Sequence, residues 1–317
     1  MHALLDRTPP DVPVESGFVP HTSRPWLPTA WEFARFGWQF FVRRQDRPFL
    51  MGLMLTDACN LSCRHCRVAN TGQGHMPWDE IEARLRGAYE RDVRFLYLSG
   101  GEPYLWRDAG RQLPDVIALA RRIGFLRVHV LTNGTHPLSR AADLHWVSLD
   151  GLGDVQMQLR GASTETVTRN ILAFTGRLAV IFTVNTVNRG LIREFLDWAR
   201  HALPRRRVLF FFHTPYYGVD ALHLTDKQRG DVIEDLLRCK REGMPVVNSA
   251  AALRAIQTGR YRHPTALWFV ADRDGDHLCC RARSPEVCRH CGYSSCAEMV
   301  LAQGWHPGVL GSALAGV

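Results

Sequence analysis

Short apolar runs alternate with helical segments between residues 50 and 213. The apolar runs lie near residues 50–56, 93–98, 127–132, 145–149, 178–185 and 207–213. The helical segments lie near residues 78–91, 108–123, 136–142, 164–175 and 189–201. This alternation predicts parallel strands joined by crossover helices. Six such units predict an α/β fold, a partial (β/α)6 TIM-like barrel, although an open doubly wound sheet has the same periodicity.

Three cysteines, Cys59, Cys63 and Cys66, follow the first predicted strand at a C-x3-C-x2-C spacing. A tetrahedral zinc site normally has four protein ligands, and no fourth cysteine or second histidine lies near these three in the sequence. Iron–sulfur clusters usually take four thiolates, so a cluster held by three leaves one iron open to another ligand. The spacing therefore favours a three-ligand iron–sulfur site, with buried structural cysteines or a zinc loop as the alternatives.

At these residues the chain resembles the radical S-adenosylmethionine (radical SAM) superfamily, and His65 before the last cysteine fits that pattern. The resemblance implies a 4Fe-4S cluster on the three cysteines, with S-adenosylmethionine bound at the fourth iron. It also implies that reductive cleavage of this cofactor gives a 5′-deoxyadenosyl radical, which abstracts a hydrogen atom from the substrate. A reductase or a flavodoxin-type protein is the expected electron donor.

Ligands of α/β sheets bind at the carboxyl ends of the strands, so the loops after the strands are the first candidates for cofactor binding. The second such loop is Gly100-Gly101-Glu102-Pro103, which resembles the glycine-rich motif that binds the methionine amino group in the superfamily. Glycines let a backbone approach a ligand closely, and a carboxylate neutralises an ammonium group.

Segments of the later loops also resemble the superfamily, and this resemblance implies Asn133, Ser148, Asp150 and Arg160 as further candidates for cofactor binding. Asn185, at the end of the fifth predicted strand, is one more candidate. Asn-Gly and Asp-Gly pairs also favour ordinary turns, so a turn without cofactor contact is the alternative for Asn133 and Asp150. For the arginine, binding of a substrate carboxylate and a plain surface position are both open.

Candidate catalytic residues are His213, Tyr216, Cys239 and Cys279. The first two follow the sixth predicted strand, where they could bind substrate or donate hydrogen; a structural histidine is the alternative. Cys239 is isolated in the sequence, and the helical period of residues 226–242 buries it, so core packing is its alternative. Cys279 is a candidate because a spare C-terminal thiol could return a hydrogen atom to a substrate radical; simple burial is the alternative.

Five cysteines crowd into the C-terminal segment: Cys279, Cys280, Cys288, Cys291 and Cys296. This segment resembles the twitch or SPASM appendices of radical SAM enzymes, which implies a second 4Fe-4S cluster held by the last three and by one of the first two. A tetrahedral zinc site is the alternative. We expect a helix near residues 250–258 and a strand pair near residues 267–279, with its turn at Asp274-Gly275.

Composition and patterning predict three parts: an arm and amphipathic helix (1–44), a barrel (45–242) and a cysteine-rich domain (243–317). The helix predicted over residues 31–44 is aromatic and basic, so it could lie on a membrane surface, although packing against its own domain is the commoner role. Nine cysteines without a secretory signal indicate a reducing compartment, so we expect a cytoplasmic protein. The net charge of +8 comes mostly from scattered arginines, which makes nucleic acid a minor option.

The sequence thus predicts a radical SAM enzyme that acts on a small-molecule or lipid natural product by oxidation, epimerisation or bond formation. Modification of a ribosomal peptide or of RNA is the alternative within the superfamily. A non-catalytic zinc or iron–sulfur module that senses redox state is the alternative from another class, and it leaves the Gly-Gly-Glu-Pro loop without a role.

Overall fold

The computed structural model describes residues 26–263, 266–281 and 283–309. Eight strands form one sheet: β1 Leu50–Met54, β2 Phe95–Ser99, β3 Arg127–Thr132, β4 Leu144–Ser148, β5 Leu178–Val184, β6 Val208–Phe212, β7 Trp268–Asp272 and β8 Gly275–Leu278. Their order is β6-β5-β4-β3-β2-β1-β7-β8. Every neighbouring pair is parallel except β7 and β8, which are antiparallel. The predicted α/β fold with the strands of a partial barrel is confirmed.

Ten α-helices lie in the described residues: α1 Trp26–Gly37, α2 Trp78–Glu90, α3 Leu113–Ile123, α4 Gly153–Arg160, α5 Thr164–Ala173, α6 Ile192–Ala202, α7 Asp226–Arg241, α8 Ala250–Thr258, α9 Pro285–Arg289 and α10 Ser294–Gln303. A π-helical turn, Trp38–Val42, continues α1, and a 3-10 turn, Pro103–Leu105, follows β2. None of these helices is long and apolar enough to cross a membrane.

The helices cover one face of the sheet because alternate strand residues are apolar and point towards them. Leu96 and Leu98 of β2 are buried in a core shared with α2 and α3. Phe182 of β5 and Phe210 of β6 are buried in a second core shared with helices α5 to α8. The opposite face, formed by the remaining strand residues, is the inner face of the partial barrel.

Two helical assignments differ from the sequence prediction. Residues 136–142 form no helix, because Pro137 disfavours helical backbone at His136 and the amide of Ser139 instead donates to the hydroxyl of Tyr104 (2.7 Å). The short helix α4 was not predicted; it begins at Gly153 directly after a turn and ends where Gly161 takes a left-handed conformation (φ 73°).

The C-terminal segment contacts both edges of the six-stranded unit. At one edge β7 pairs with β1, and the predicted strand pair with its turn at Asp274-Gly275 is confirmed. At the other edge the amide of Phe212 donates to the carbonyl of Gly292 (2.8 Å). A Cβ on Gly292 would lie 2.9 Å from the Cα of Phe212 and closer still to its carbonyl, so only glycine fits this contact.

Candidate functional site

The cysteine loop, residues 56–66, leaves the carboxyl end of β1 and is fixed by a buried carboxylate. Asp57 accepts hydrogen bonds from the amides of Gln73 (3.0 Å) and Gly74 (2.7 Å) and from the hydroxyl of Thr71 (2.9 Å). Burial raises the pKa of Asp57, but these donors more than offset it, so the pKa lies below its usual value. Asp57 therefore holds the segment after the cysteines against the loop as an ionised group.

Asn70 shapes the cysteine loop from the same segment. Its side-chain carbonyl accepts from the amide of Cys59 (2.9 Å), and its amide donates to the carbonyl of Leu61 (3.3 Å). Its own backbone takes a left-handed conformation (φ 56°), which asparagine tolerates better than most residues. The sequence prediction missed both Asp57 and Asn70, although an aspartate before and an asparagine after a cysteine motif are typical residues for turns.

The three cysteines of the loop are outside any disulfide among the described residues and are partly exposed. The sulfur of Cys59 accepts from the amide of Leu61 (3.4 Å) and from the side chain of Asn133 (3.8 Å). Burial raises the pKa of Cys63 to about 11, and the thiols of Cys66 and Cys59 add to this rise. Three neighbouring thiols suit an iron–sulfur cluster, because the positive charge of the metal offsets the repulsion between the thiolates. The N–H donors at the Cys59 sulfur suit a thiolate ligand as well.

The Gly-Gly-Glu-Pro loop lies directly on the backbone of the cysteine loop. The amide of Gly101 donates to the carbonyl of Thr56 (2.7 Å), and that of Glu102 donates to the carbonyl of Ala58 (2.8 Å). A Cβ on Gly101 would lie 2.6 Å from the carbonyl carbon of Ala58, and Gly100 has a positive φ of 145°. Glycine is therefore required at both positions for the two loops to meet.

Glu102 is completely buried and joins the second and third strand loops. Its carboxylate accepts from the amide of Tyr104 (3.1 Å), the hydroxyl of Thr132 (2.9 Å) and the amide of Asn133 (2.8 Å). Burial raises its pKa to about 7, and the three donors act in the opposite direction. The Glu102 carboxylate thus binds protein donors, and the backbone of the loop faces the cysteines.

Asn133, at the end of β3, lies at the cysteine loop as well. Its amide donates to the side-chain carbonyl of Asn60 (2.9 Å), and the amide of Asn60 donates to the hydroxyl of Thr135 (2.9 Å). The loops after β1, β2 and β3 are therefore connected by direct hydrogen bonds. Ser148, the last residue of β4, is partly exposed, and the structure gives it no side-chain partner in the described residues.

Asp150 and Arg160 form a buried ion pair beneath the cysteine loop. The Nε of Arg160 donates to Asp150 (2.6 Å), whose other oxygen accepts from the amide of Thr183 (2.7 Å). Cys63 donates to the carbonyl of Arg160 (3.6 Å). The Arg160 side chain is buried, so the alternative of a surface arginine is wrong. His65 lies 3.6 Å from the Asp150 carboxylate, and burial lowers the pKa of this histidine to about 4, which keeps it neutral.

Asn185 and His213 are both held by their own loops. The side chain of Asn185 accepts from the amide of Val187 (2.9 Å) and donates to the carbonyl of Thr183 (3.2 Å), so it shapes the turn after β5. The Nε2 of His213 lies 3.0 Å from both oxygens of Asp220. His213 is buried, and this ion-pair geometry favours its structural alternative.

Tyr216 connects the loop after β6 to the C-terminal segment. Its hydroxyl contacts the hydroxyl of Tyr293, and the Tyr293 ring packs edge-on against Phe211 at 5.2 Å between centroids. Cys239, by contrast, lies on α7 in the core beside Val232 and Leu236 and is 1% exposed. Its predicted burial is confirmed, and its place among the helices rather than at the strand ends argues against the catalytic role also considered for it.

Thiols of the C-terminal segment lie next to one another. Cys279 is hydrogen-bonded to Cys280 and Cys296, and Cys296 also contacts Cys291. Hydrogen bonds with Cys280 and Cys296 lower the pKa of Cys279, and hydrogen bonds with Cys279 and Cys291 raise that of Cys296. Burial raises the pKa of Cys288, and electrostatic interaction with Cys291 and Cys279 adds to this rise. In the part of the chain that the structure describes, no three Cys, His, Asp or Glu side chains are arranged to hold a single metal ion.

The inner face of the sheet is lined by aromatic side chains that the sequence prediction did not single out. The ring of Tyr97 on β2 lies over Gly52 of β1, where a Cβ would come within 2.6 Å of it. On the next strands the indole of Trp146 donates to Nδ1 of His129 (3.4 Å). Strand alternation could have found these residues, because each lies one position away from a buried core residue.

Residues 53–199 match the sequence model of the Radical SAM superfamily. The chain is 29% identical over 191 residues to the GTP 3′,8-cyclase of Pectobacterium atrosepticum, an alignment that covers 52% of this chain and 56% of that protein. It is 35% identical over 130 residues to the AdoMet-dependent heme synthase of Methanosarcina barkeri, covering 39% of this chain and 35% of that protein.

Among solved structures, the fold is similar to that of SuiB from Streptococcus suis bound to the precursor peptide SuiA. The TM-score is 0.60 at 12% identity, over 90% of this chain and 72% of that chain. The cysteine loop, the Gly-Gly-Glu-Pro loop and strands β2 to β5 fall within the matched segment, which begins inside β1. On this sequence match and this fold, residues 53–199 form a domain of the radical SAM superfamily.

Proposed function

We propose that this radical SAM enzyme cleaves S-adenosylmethionine reductively and modifies a small organic molecule bound on the inner face of the sheet. When bound, the 4Fe-4S cluster and S-adenosylmethionine supply the 5′-deoxyadenosyl radical. The observation that carries the proposal is the direct packing of the Gly-Gly-Glu-Pro loop on the cysteine loop. That contact places glycine backbone and three thiols at the same end of the sheet.

Each part of this site has a defined task. Cys59, Cys63 and Cys66 would hold the cluster, and Asn70 fixes the backbone that presents the first of them. The backbone of Gly100 and Gly101 would lie beside the methionine end of the cofactor, because these glycines pack directly on the cysteine loop. Neutral His65, whose Nδ1 is buried without a hydrogen-bond partner among the described residues, retains a free ring nitrogen beside the last cysteine.

The inner face supports a small substrate with a flat or apolar part. Tyr97, His129, Trp146 and Phe211 are partly exposed on this face, and aromatic rings bind planar groups by stacking. The two relatives above are named for a GTP cyclisation and a heme synthesis, so both names refer to small ring systems. Similarity to the peptide-bound SuiB structure at 12% identity extends to the fold alone. A lipid substrate fits the same lining, and peptide modification is the alternative.

The C-terminal thiols support a second cluster. The proposed ligands are Cys288, Cys291, Cys296 and one of Cys279 or Cys280, and the contacts of Cys279 with both Cys280 and Cys296 leave that choice open. Arg229 holds this loop by donating to the carbonyls of His290 (3.0 Å) and Cys291 (3.3 Å). Zinc bound by the same thiols is the alternative. A reductase or a flavodoxin-type protein would supply the electron.

Two cysteine variants and one control test the proposal. C63A should abolish 5′-deoxyadenosine formation by the reduced, anaerobically purified protein, because it removes one of three thiolate ligands. C288A should keep that cleavage and lose only the metal of the C-terminal segment. C239A removes a core thiol that contacts neither site, so it should keep all metal and full cleavage. Full cleavage by C63A would contradict the proposed function and favour a non-catalytic binding module.

A further inference from the structure

An exposed aromatic surface lies on the N-terminal helix, away from the proposed active site. It consists of Trp31 (68% exposed), Trp38 (58%), Val42 (51%) and Trp305 (50%), which we call the tryptophan patch. Trp31, Trp38 and Val42 lie on one side of α1 and the π-helical turn, because seven residues separate the first two and four separate the last two. Trp305 joins them because its indole donates to the carbonyl of Phe41 (2.6 Å) and its ring packs on Phe41.

The opposite side of the same helix is firmly attached to the domain. Phe36 packs against Phe95 at the start of β2 (4.8 Å between centroids) and against Phe49 before β1 (5.3 Å). Arg35 donates to the Asp92 carboxylate (3.0 Å). Because these contacts fix the inner side of the helix, the tryptophan patch faces outward from the part of the chain that the structure describes. It lies at the amino ends of β1 and β2, whereas the cysteine loop lies at the carboxyl end of β1.

The charges around the patch are unbalanced. Arg43 and Arg44 directly follow Val42, are exposed, and form no ion pair with any residue that the structure describes. The nearby acidic groups are already paired: Glu32 with Arg94 (3.1 Å) and Asp46 with Arg262 (2.6 Å). A second copy of the chain would bring the same arginines and no free carboxylate to this surface. A partner that complements this surface therefore carries negative charge opposite the arginines and an apolar layer opposite the tryptophans.

We propose that the tryptophan patch binds the surface of an anionic lipid bilayer. Tryptophan favours the boundary between lipid headgroups and acyl chains, where the ring is apolar and the N–H stays hydrated. Adjacent arginines add attraction to anionic headgroups. Bound in this way, α1 lies along the membrane plane and the opposite end of the sheet, with the cysteine loop, faces away from the bilayer.

Vesicle cosedimentation of the full chain tests the proposal. The wild-type protein should sediment with phosphatidylcholine vesicles that contain phosphatidylglycerol, and less with phosphatidylcholine alone or at high salt. The variant W31A/W38A should bind at least about tenfold more weakly, because it loses two large apolar side chains. R43Q/R44Q should lose about fivefold for each arginine, and only on the anionic vesicles.

A matched control removes exposed apolar side chains elsewhere. M157A/L172A changes residues that are 49% and 56% exposed on α4 and α5, so it should bind vesicles as the wild type does. The far-ultraviolet circular dichroism and the melting temperature of all variants verify that they fold. Equal vesicle binding by W31A/W38A and wild type would overturn the proposal. Concentration-dependent self-association that needs Trp31 and Trp38, without vesicle binding, would overturn it as well and assign the patch to a second copy.

Discussion

Replacing Gly101 by alanine should separate the two loops that build the cofactor site. The new Cβ would lie 2.6 Å from the carbonyl carbon of Ala58 and closer to the carbonyl oxygens of Asp57 and Ala58, so the backbone must shift. Overpacking of this kind costs about 1–3 kcal/mol. The shift also weakens two backbone hydrogen bonds, of 2.7 Å and 2.8 Å, worth about 0.5–1.5 kcal/mol each. We expect the free energy of unfolding to fall by about 2–5 kcal/mol.

The control for this variant is G87A. Gly87 lies within α2, and a Cβ there would meet nothing within 4 Å. Alanine should therefore stabilise this helix by up to about 1 kcal/mol through its higher helix propensity. The two variants make the same chemical change with opposite expected signs, so the comparison isolates the packing of Gly101.

Thermal unfolding of the iron-free protein under anaerobic conditions measures both effects. A loss of about 2–5 kcal/mol corresponds to a melting temperature lower by roughly 5–15 °C in a domain of this size. After reconstitution, G101A should also bind less iron than G87A, because the cysteine loop has lost its support. An unchanged melting temperature and full iron content in G101A would refute the argument that the two loops need glycine at their contact.

Three further predictions concern other contacts. E102Q should cost about 1–3 kcal/mol in unfolding free energy, because the new NH2 group faces the amide donors of Asn133 or Tyr104; a melting temperature equal to that of the wild type would contradict this. D92N should cost about 1–2 kcal/mol at neutral pH, because Asp92 accepts from Arg35 and contacts Arg47 and Arg94. Burial raises the pKa of Asp92, but the arginines hold it below its usual value. The difference between D92N and wild type should therefore be complete above the unfolded pKa of about 3.9 and disappear as the pH falls through the lower folded pKa, as urea unfolding at several pH values would measure. G292A should detach the C-terminal loop from β6, reducing metal bound by the C-terminal thiols while leaving 5′-deoxyadenosine formation intact; full metal content would refute it.

The strands and the cysteine loop could be predicted from the sequence because each depends on local pattern. Apolar runs that alternate with helical segments predicted the six parallel strands, and the spacing of Cys59, Cys63 and Cys66 predicted the cluster loop. The position of the glycine-rich loop one strand later predicted the second half of the site. Each of these signals occupies a short, continuous stretch of the chain.

The supporting contacts could not be predicted because they join residues distant in the sequence. Glu102 was expected to face the cofactor, yet Thr132 and Asn133 from the next loop occupy its carboxylate. Arg160 is buried because Asp150 lies beside it, a pairing that only the fold brings about. Tyr97 covers Gly52 on the neighbouring strand, and neither residue belongs to a motif.

The boundary expected near residue 243 remains a prediction. The C-terminal segment adds β7 and β8 to the same sheet, and Gly292 contacts β6, so this segment packs against the barrel strands at both edges. The change in composition reflects the cysteines, whereas β7, which precedes them in the sequence, is an ordinary apolar strand.

The most direct test of the central claim is whether the reduced protein cleaves S-adenosylmethionine. The wild-type chain, purified and reconstituted without oxygen, should form 5′-deoxyadenosine and carry about eight irons if both thiol groups hold 4Fe-4S clusters. About four irons and one zinc, with cleavage intact, would keep the radical chemistry and assign zinc to the C-terminal thiols. No 5′-deoxyadenosine from protein with a full cluster complement would contradict the account.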